Sequence, residues 1–140
     1  MVETKEIIID AEHCVLGRIA SYAAKKALQG NKIIIVNSEK AIIVGKKKDI
    51  LNRYHDKFSL GGTSQKGPFF SRISENIMRR TIRGMLPWKR TRGREAYKRI
   101  FCYKGVPTEY KDKPKEIISK SDAINYLTLK QLCKAIGKER

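Results

Sequence analysis

Residues 7–36 read IIIDAEHCVLGRIASYAAKKALQGNKIIIV, and the change of hydrophobic period inside that stretch decides the fold. Ile7-Ile8-Ile9 is an uninterrupted β-branched run, the pattern of a strand buried on both faces. Leu16, Ile19, Ala20, Ala23, Ala24, Ala27 and Leu28 then recur at helical spacing, while Arg18, Lys25, Lys26 and Gln29 face away. Gly30 supplies a helix stop, because it enters the left-handed cap conformation without a Cβ clash. Ile33-Ile34-Ile35-Val36 repeats the strand pattern, so the stretch reads as a βαβ unit with two parallel strands.

Working outward, Ala41-Ile42-Ile43-Val44 is a third apolar run. Only Asn37 to Lys40 separate it from the second, too few residues for a parallel crossover. It either pairs antiparallel or bends away to another part of the sheet. A basic helix is expected from Lys46 to Lys57, burying Ile50, Leu51 and Tyr54. From Phe58 to Ser71 the pattern breaks around Gly61-Gly62-Thr63-Ser64 and Gly67-Pro68, a connection long enough to be functional or mobile. Ser74 is placed as the cap of a helix that carries Ile77 to Met85 and ends at Pro87. A further basic helix from Gly93 to Arg99 leads into a core strand, Ile100 to Tyr103. Near the C-terminus Leu129, Leu132, Cys133 and Ile136 share one helical face, and Thr128 with Gln131 forms a capping box.

Charge is concentrated on part of this framework. The 140 residues carry 31 Lys and Arg against 14 Asp and Glu, a formal net charge of +17. Between Arg79 and Arg99 lie nine basic residues and a single carboxylate, Glu95. Arg79, Arg80 and Arg83 oppose the stripe of Ile77, Met78, Thr81, Ile82 and Met85, so this helix buries one face and presents cations on the other. A merely solvated face normally mixes signs for i,i+4 pairing, and one carboxylate among nine bases offers almost none. Arginine predominates, and its planar fork suits phosphate contact and stacking on bases. Trp88, Tyr97 and Tyr103 are interleaved aromatics of the kind that stack on unpaired bases, or that simply pack. A polyanion is the expected partner. Nucleic acid is favoured over a membrane surface, because the apolar residues opposite the charge are needed by the core.

Other chemistries find little support. Neither GxxxxGK[ST] nor GxGxxG occurs, so the glycine pairs read as places where backbone amides approach phosphates rather than as a nucleotide fingerprint. His13 and Cys14 are adjacent and Asp10 lies nearby, but adjacent side chains diverge and no oxyanion-hole motif accompanies them. His55 reads as a surface or RNA-facing group. Cys14, Cys102 and Cys133 show no CxxC spacing and read as reduced, mostly buried thiols of a cytoplasmic protein. Two histidines and scattered cysteines do not suggest zinc, and no paired acids suit two-metal chemistry. No apolar run approaches the ~18 residues of a membrane span, and the first residues lack the design of a secretory signal.

Specific strings go further than composition. Ile9-Asp10-Ala11, Val15-Leu16-Gly17-Arg18-Ile19-Ala20, Val36-Asn37-Ser38-Glu39-Lys40 and Lys66-Gly67-Pro68 occur in order. Thr81-Ile82-Arg83-Gly84-Met85-Leu86-Pro87 follows, with Lys89 and Arg92-Gly93. From Ile9 to Lys113 the chain resembles the ribosomal protein L13 family of the large subunit, in its archaeal and eukaryotic-like form. Gly105 to Tyr110 stands where the bacterial form has a His-rich stretch, which favours the archaeal branch, and the protein contacts made by the long helical C-terminal extension of eukaryotic members are not expected here.

The resemblance implies one α/β domain spanning residues 1–140, three-layer α/β/α around a four-stranded, mainly parallel sheet, with basic helices and loops on one side. It implies a structural constituent of the cytoplasmic ribosome that binds large-subunit rRNA and supports assembly beside neighbouring large-subunit proteins. No catalysis, cofactor, metal, membrane or small-molecule substrate is expected. The expected rRNA-binding residues are Lys46, Lys47, Lys48, Lys66, Arg72, Arg79, Arg80, Arg83, Trp88, Lys89, Arg90, Arg92, Arg94, Lys98 and Arg99. Two rival classes are an RNA-modifying enzyme, which needs a cofactor site at the strand ends, and a general DNA-binding protein.

Overall fold

The computed structural model describes residues 4–60, 65, 67, 69–118 and 120–136. In chain order the regular elements are β1 (Glu6–Asp10), α1 (Leu16–Leu28), β2 (Lys32–Val36), β3 (Ile42–Val44) and α2 (Lys47–Ser59). They continue with α3 (Ser74–Gly84), α4 (Thr91–Lys98), β4 (Ile100–Cys102), β5 (Tyr126–Thr128) and α5 (Leu129–Ala135). β1 and β2 pair parallel, with Ile7 opposite Ile33 and Ile9 opposite Ile35, so the βαβ unit forms as its periods require. Gly30 ends α1 at φ +96°, its N–H donating to the carbonyl of Ala27 at 3.0 Å. β4 adds parallel to the free side of β2, giving the order β1-β2-β4.

Alternation along these strands sorts the core into two clusters. Ile9, Ile33, Ile35, Ile100 and Cys102 join the larger one, to which all five helices contribute through residues such as Ala23, Ile50, Ile77, Ala96 and Leu132. Ile8, Ile34 and Val36 join the smaller one, where Tyr110 covers them with Tyr103 and Val106 packed alongside. The second face of the sheet is therefore roofed by tyrosines from the segment after β4, with Tyr110 in a short 3-10 turn. This departs from the expected three-layer α/β/α arrangement, since no α-helical side chain among the described residues belongs to that cluster.

The strand count departs as well. Among the described residues the parallel sheet has three strands, and β3 pairs antiparallel with β5 in a separate two-stranded sheet. The short link after β2 explains the separation. Asn37 enters the left-handed region at φ 56°, a 3-10 turn follows at Ser38–Lys40, and the chain turns away beyond the carboxyl end of the central strand. Asn37 Nδ2 donates to Asp10 Oδ1 at 3.0 Å, which ties the turn to the end of β1. β5 runs straight into α5, and the expected capping box is present there, with Thr128 and Gln131 each bonded to the other's backbone N–H.

α3 holds one correction to the expected core. Ile77, Met78 and Ile82 are fully buried, but Met85 is 45% exposed and Leu86, at 6%, fills the core position beyond the helix. Helical spacing stops applying where α3 gives way to i→i+3 bonds, from Met85 N–H to Ile82 O and from Leu86 N–H to Arg83 O. The start differs too. Ile73 is the N-cap without a side-chain bond, and Ser74 is buried in the first turn. Ile82→Ala is expected to cost about 3 kcal/mol in urea unfolding, whereas Met85→Ala should stay within about 0.5 kcal/mol. Equal losses would contradict this placement.

Candidate nucleic-acid interface

Gly93 determines how closely α4 sits on the Pro87 turn that follows α3. It is buried, and a Cβ built on it would overlap the carbonyl of Pro87, so only glycine lets α4 press against the turn. The turn between the helices is wound tightly, with Trp88 N–H on Leu86 O at 2.8 Å and Arg90 N–H on Pro87 O at 2.9 Å. Trp88 is thereby held at the surface beside Arg83, at the end of the cationic face of α3.

The cations of this face are seated on aromatic rings. Arg83 lies 5.3 Å over the ring of Trp88, Arg79 lies 4.6 Å over Tyr97, and the two rings meet edge to face at 5.1 Å. The order Arg83, Trp88, Tyr97, Arg79 thus forms one continuous ladder. A second cluster occupies the neighbouring side of α3. Phe70 packs on Tyr54 and Phe58 of α2, Arg80 lies 4.4 Å over Phe70, and Arg72 lies 5.3 Å over Phe58. Lys57, not foreseen as a site residue, lies 4.8 Å over Tyr54 and 5.8 Å over Phe70. The signal for it was available in Tyr54 and Phe58, one helical turn apart on the same basic helix. Such contacts orient a guanidinium while leaving its N–H edges to the outside.

Ion pairs lie elsewhere. Lys32 and Lys113 share Glu6 at 3.5 and 3.3 Å, and Lys40 approaches Glu12 at 3.8 Å. Among the described residues, no carboxylate lies within ion-pair distance of the nine cations from Arg79 to Arg99. α4 begins with Arg90, Thr91 and Arg92 and has no acid in its first turn. α2 likewise begins with Lys46, Lys47 and Lys48, with Asp49 the one acid of its first turn. Cations at a helix N-terminus are opposed by the helix dipole, and a bound anion relieves that repulsion.

Placement separates the expected site residues. Arg80, Arg83, Trp88, Lys89, Arg90, Arg92, Arg94 and Lys98 are exposed and gather on or beside α3 and α4. Arg94 Nε also donates to the carbonyl of Trp88 at 3.1 Å, which steadies the turn. Arg79 is half-buried, and its Nε is enclosed without a partner among the described residues. Arg99 is half-buried too, and its Nη1 donates to Ala27 O at 2.8 Å, closing a carbonyl in the last turn of α1. Arg72 Nη1 donates to Ile136 O at 3.1 Å, at the end of α5. These three guanidiniums hold the fold as well as carrying charge. Lys46 to Lys48 are exposed but lie at the far end of α2, roughly 15 Å along the helix from Lys57. Lys66, Gly61-Gly62-Thr63-Ser64 and Pro68 fall outside the described residues.

The paired His13 and Cys14 diverge. Cys14 Sγ turns to the backbone oxygens of Asp10 and Glu12, each at 3.5 Å, while the His13 ring packs edge to face with Tyr126 at 5.3 Å. All three thiols are free and buried, and burial pushes that of Cys102 up to about 12, which keeps it protonated. No group of three metal-ligating side chains occurs among the described residues, and no described helix is long and apolar enough to cross a membrane.

Comparison with known proteins agrees with the motifs. A family model described as ribosomal protein L13 matches residues 4–109. The large ribosomal subunit protein uL13 of Archaeoglobus fulgidus is 43% identical over 138 residues, covering 93% of this chain and 86% of its own. That of Methanopyrus kandleri is 44% identical over 137 residues, with the same two coverages of 93% and 86%. That of Methanosarcina barkeri is 41% identical over 138 residues, covering 94% of this chain and 98% of its own.

Proposed function

This chain belongs to the ribosomal protein L13 family, and from that premise we propose that it is a structural, non-enzymatic constituent of the large ribosomal subunit that binds large-subunit rRNA and supports assembly. One domain spanning residues 1–140 carries the binding, within the cytoplasmic ribosome and beside other large-subunit proteins. The observation that supports it most is the face of α3 and α4, where cations are mounted on rings with no carboxylate paired to them among the described residues. Arg80, Arg83, Lys89, Arg90, Arg92, Arg94 and Lys98 neutralise phosphates where rRNA segments converge, and counterion release supplies most of the affinity. Arg79, Arg72 and Arg99 add charge from positions pinned by the fold. Lys46 to Lys48 and Lys66 contribute from α2 and the glycine-rich loop. Recognition is of RNA shape more than of sequence.

The rival enzymatic reading requires a crevice at the carboxyl ends of the parallel strands. The order β1-β2-β4 has no reversal, and a polar knot fills that end, with Asn37 bonded to Asp10 and Glu39 Oε2 accepting from Gly105 N–H at 3.0 Å. Sucrose-gradient sedimentation at moderate salt tests the proposal. The chain is expected with the large subunit, and recovery at the top of the gradient would overturn it.

A further inference from the structure

We propose that the notch formed by the end of α3 and the turn after it takes a single unstacked nucleotide of the bound RNA, its base against the Trp88–Arg83 pair and its phosphate on the cations of the rim. The inference rests on the rRNA-binding reading and specifies what enters one part of that surface. Leu86 and Pro87 floor the notch, and Arg83, Trp88, Lys89 and Arg90 wall it, around a volume of about 470 Å³.

Trp88 is what phosphate binding alone leaves unexplained. It is 40% exposed, although Leu86 two residues earlier is in the core and Trp88 itself belongs to neither hydrophobic cluster. Its ring is nevertheless fixed. Tyr97 meets it at 89° between ring planes, Arg83 lies over it, and its backbone is held at both ends, by Leu86 O and by Arg94 Nε. Its indole N–H has no protein partner among the described residues, and an N–H donor of this kind suits a phosphate, a 2′-hydroxyl or a base edge. A rigid, solvent-facing aromatic platform sacrifices little conformational freedom when a ligand stacks on it.

Charge selects the class of occupant. The notch presents three cations and no carboxylate, which fits a phosphodiester. Bases within an RNA duplex are closed into the stack, so a ring of this kind reaches one only where the strand opens at a loop, bulge or junction.

Trp88 is the chain's single tryptophan, so its fluorescence reports on the notch alone. The intact protein is titrated with a short single-stranded oligoadenylate and with an abasic ribose-phosphate oligomer of the same length, both also followed by anisotropy. The oligoadenylate is expected to quench Trp88, and the abasic oligomer to bind with the same salt slope without quenching. Trp88→Ala should weaken oligoadenylate binding by about 5- to 150-fold and abasic binding by a much smaller factor, with Trp88→Phe intermediate. Equal quenching by both oligomers, or an equal loss for both in Trp88→Ala, would show that only charge acts there and overturn the notch. Binding and co-sedimentation without quenching would overturn the notch while sparing the rRNA-binding proposal. If neither oligomer binds and the chain stays free of subunits, both fall.

Discussion

Gly93→Ala is expected to destabilise the chain by about 2 kcal/mol, seen as a fall in Tm of roughly 7 °C. Two effects oppose each other at this position. Gly93 lies inside α4, where alanine gains roughly 1 kcal/mol of helix propensity. Against that, the new methyl meets the Pro87 carbonyl, a backbone group that no side-chain rotation can clear. Overpacking of a filled site costs about 1–3 kcal/mol, more where backbone must move, so the clash wins. Relief requires α4 to move away from Pro87, which strains the bonds of Gly93 and Arg94 to Arg90 O and lifts Ala96 from the core. RNA affinity should fall with it, because the same turn carries Trp88 and Arg90. A variant more stable than the parent would show that α4 does not rest on Pro87.

The second large effect is functional. Arg80→Gln combined with Arg83→Gln should flatten the dependence of log affinity on log salt by about 2, one for each phosphate no longer neutralised. Stability should fall by only about 1 kcal/mol for the pair, from two exposed ring contacts, since neither side chain is ion-paired among the described residues. Arg79→Gln should behave differently. Its guanidinium is half-buried over Tyr97, so about 1 kcal/mol of stacking is lost together with the charge. From sequence alone, neutralising Arg79, Arg80 and Arg83 together leaves folding nearly intact. The structure divides that triad, with Arg79 serving both roles. An unchanged salt slope in the Arg80–Arg83 double variant would remove this face from the RNA interface.

How much was legible follows from how far each interaction reaches along the chain. β1, α1 and β2 announce themselves because each carries its own period and Gly30 marks the boundary. The partner of β3 was hidden, since β5 is three residues long and lies beyond four intervening elements. Periodicity assigned Met85 to the core because it assumes the helix continues, and α3 stops at Gly84. For the site, counting charges located the cationic face but treated every guanidinium alike. Arg99 turns inward because the Ala27 carbonyl at the end of α1, 72 residues away, accepts a second bond beside that of Gly30 N–H, a relation no local pattern contains. The seating of Arg83 on Trp88 joins near neighbours, yet Arg72 on Phe58 and Arg80 on Phe70 depend on how the chain returns after α2. The need for glycine at position 93 was likewise invisible, because the obstructing atom belongs to the turn six residues earlier.

The uneven distribution of ion pairs has a kinetic consequence. Glu6 and Glu12, on and just after β1, are matched by Lys32, Lys113 and Lys40, whereas the cations of α3 and α4 are unmatched among the described residues. The molecule's field therefore has a direction, and a distant polyanion exerts a torque on it. On the rRNA-binding proposal, the protein diffusing toward RNA is expected to turn α3 and α4 forward before any contact forms. Productive collisions become frequent, and raising salt slows arrival more than it hastens departure.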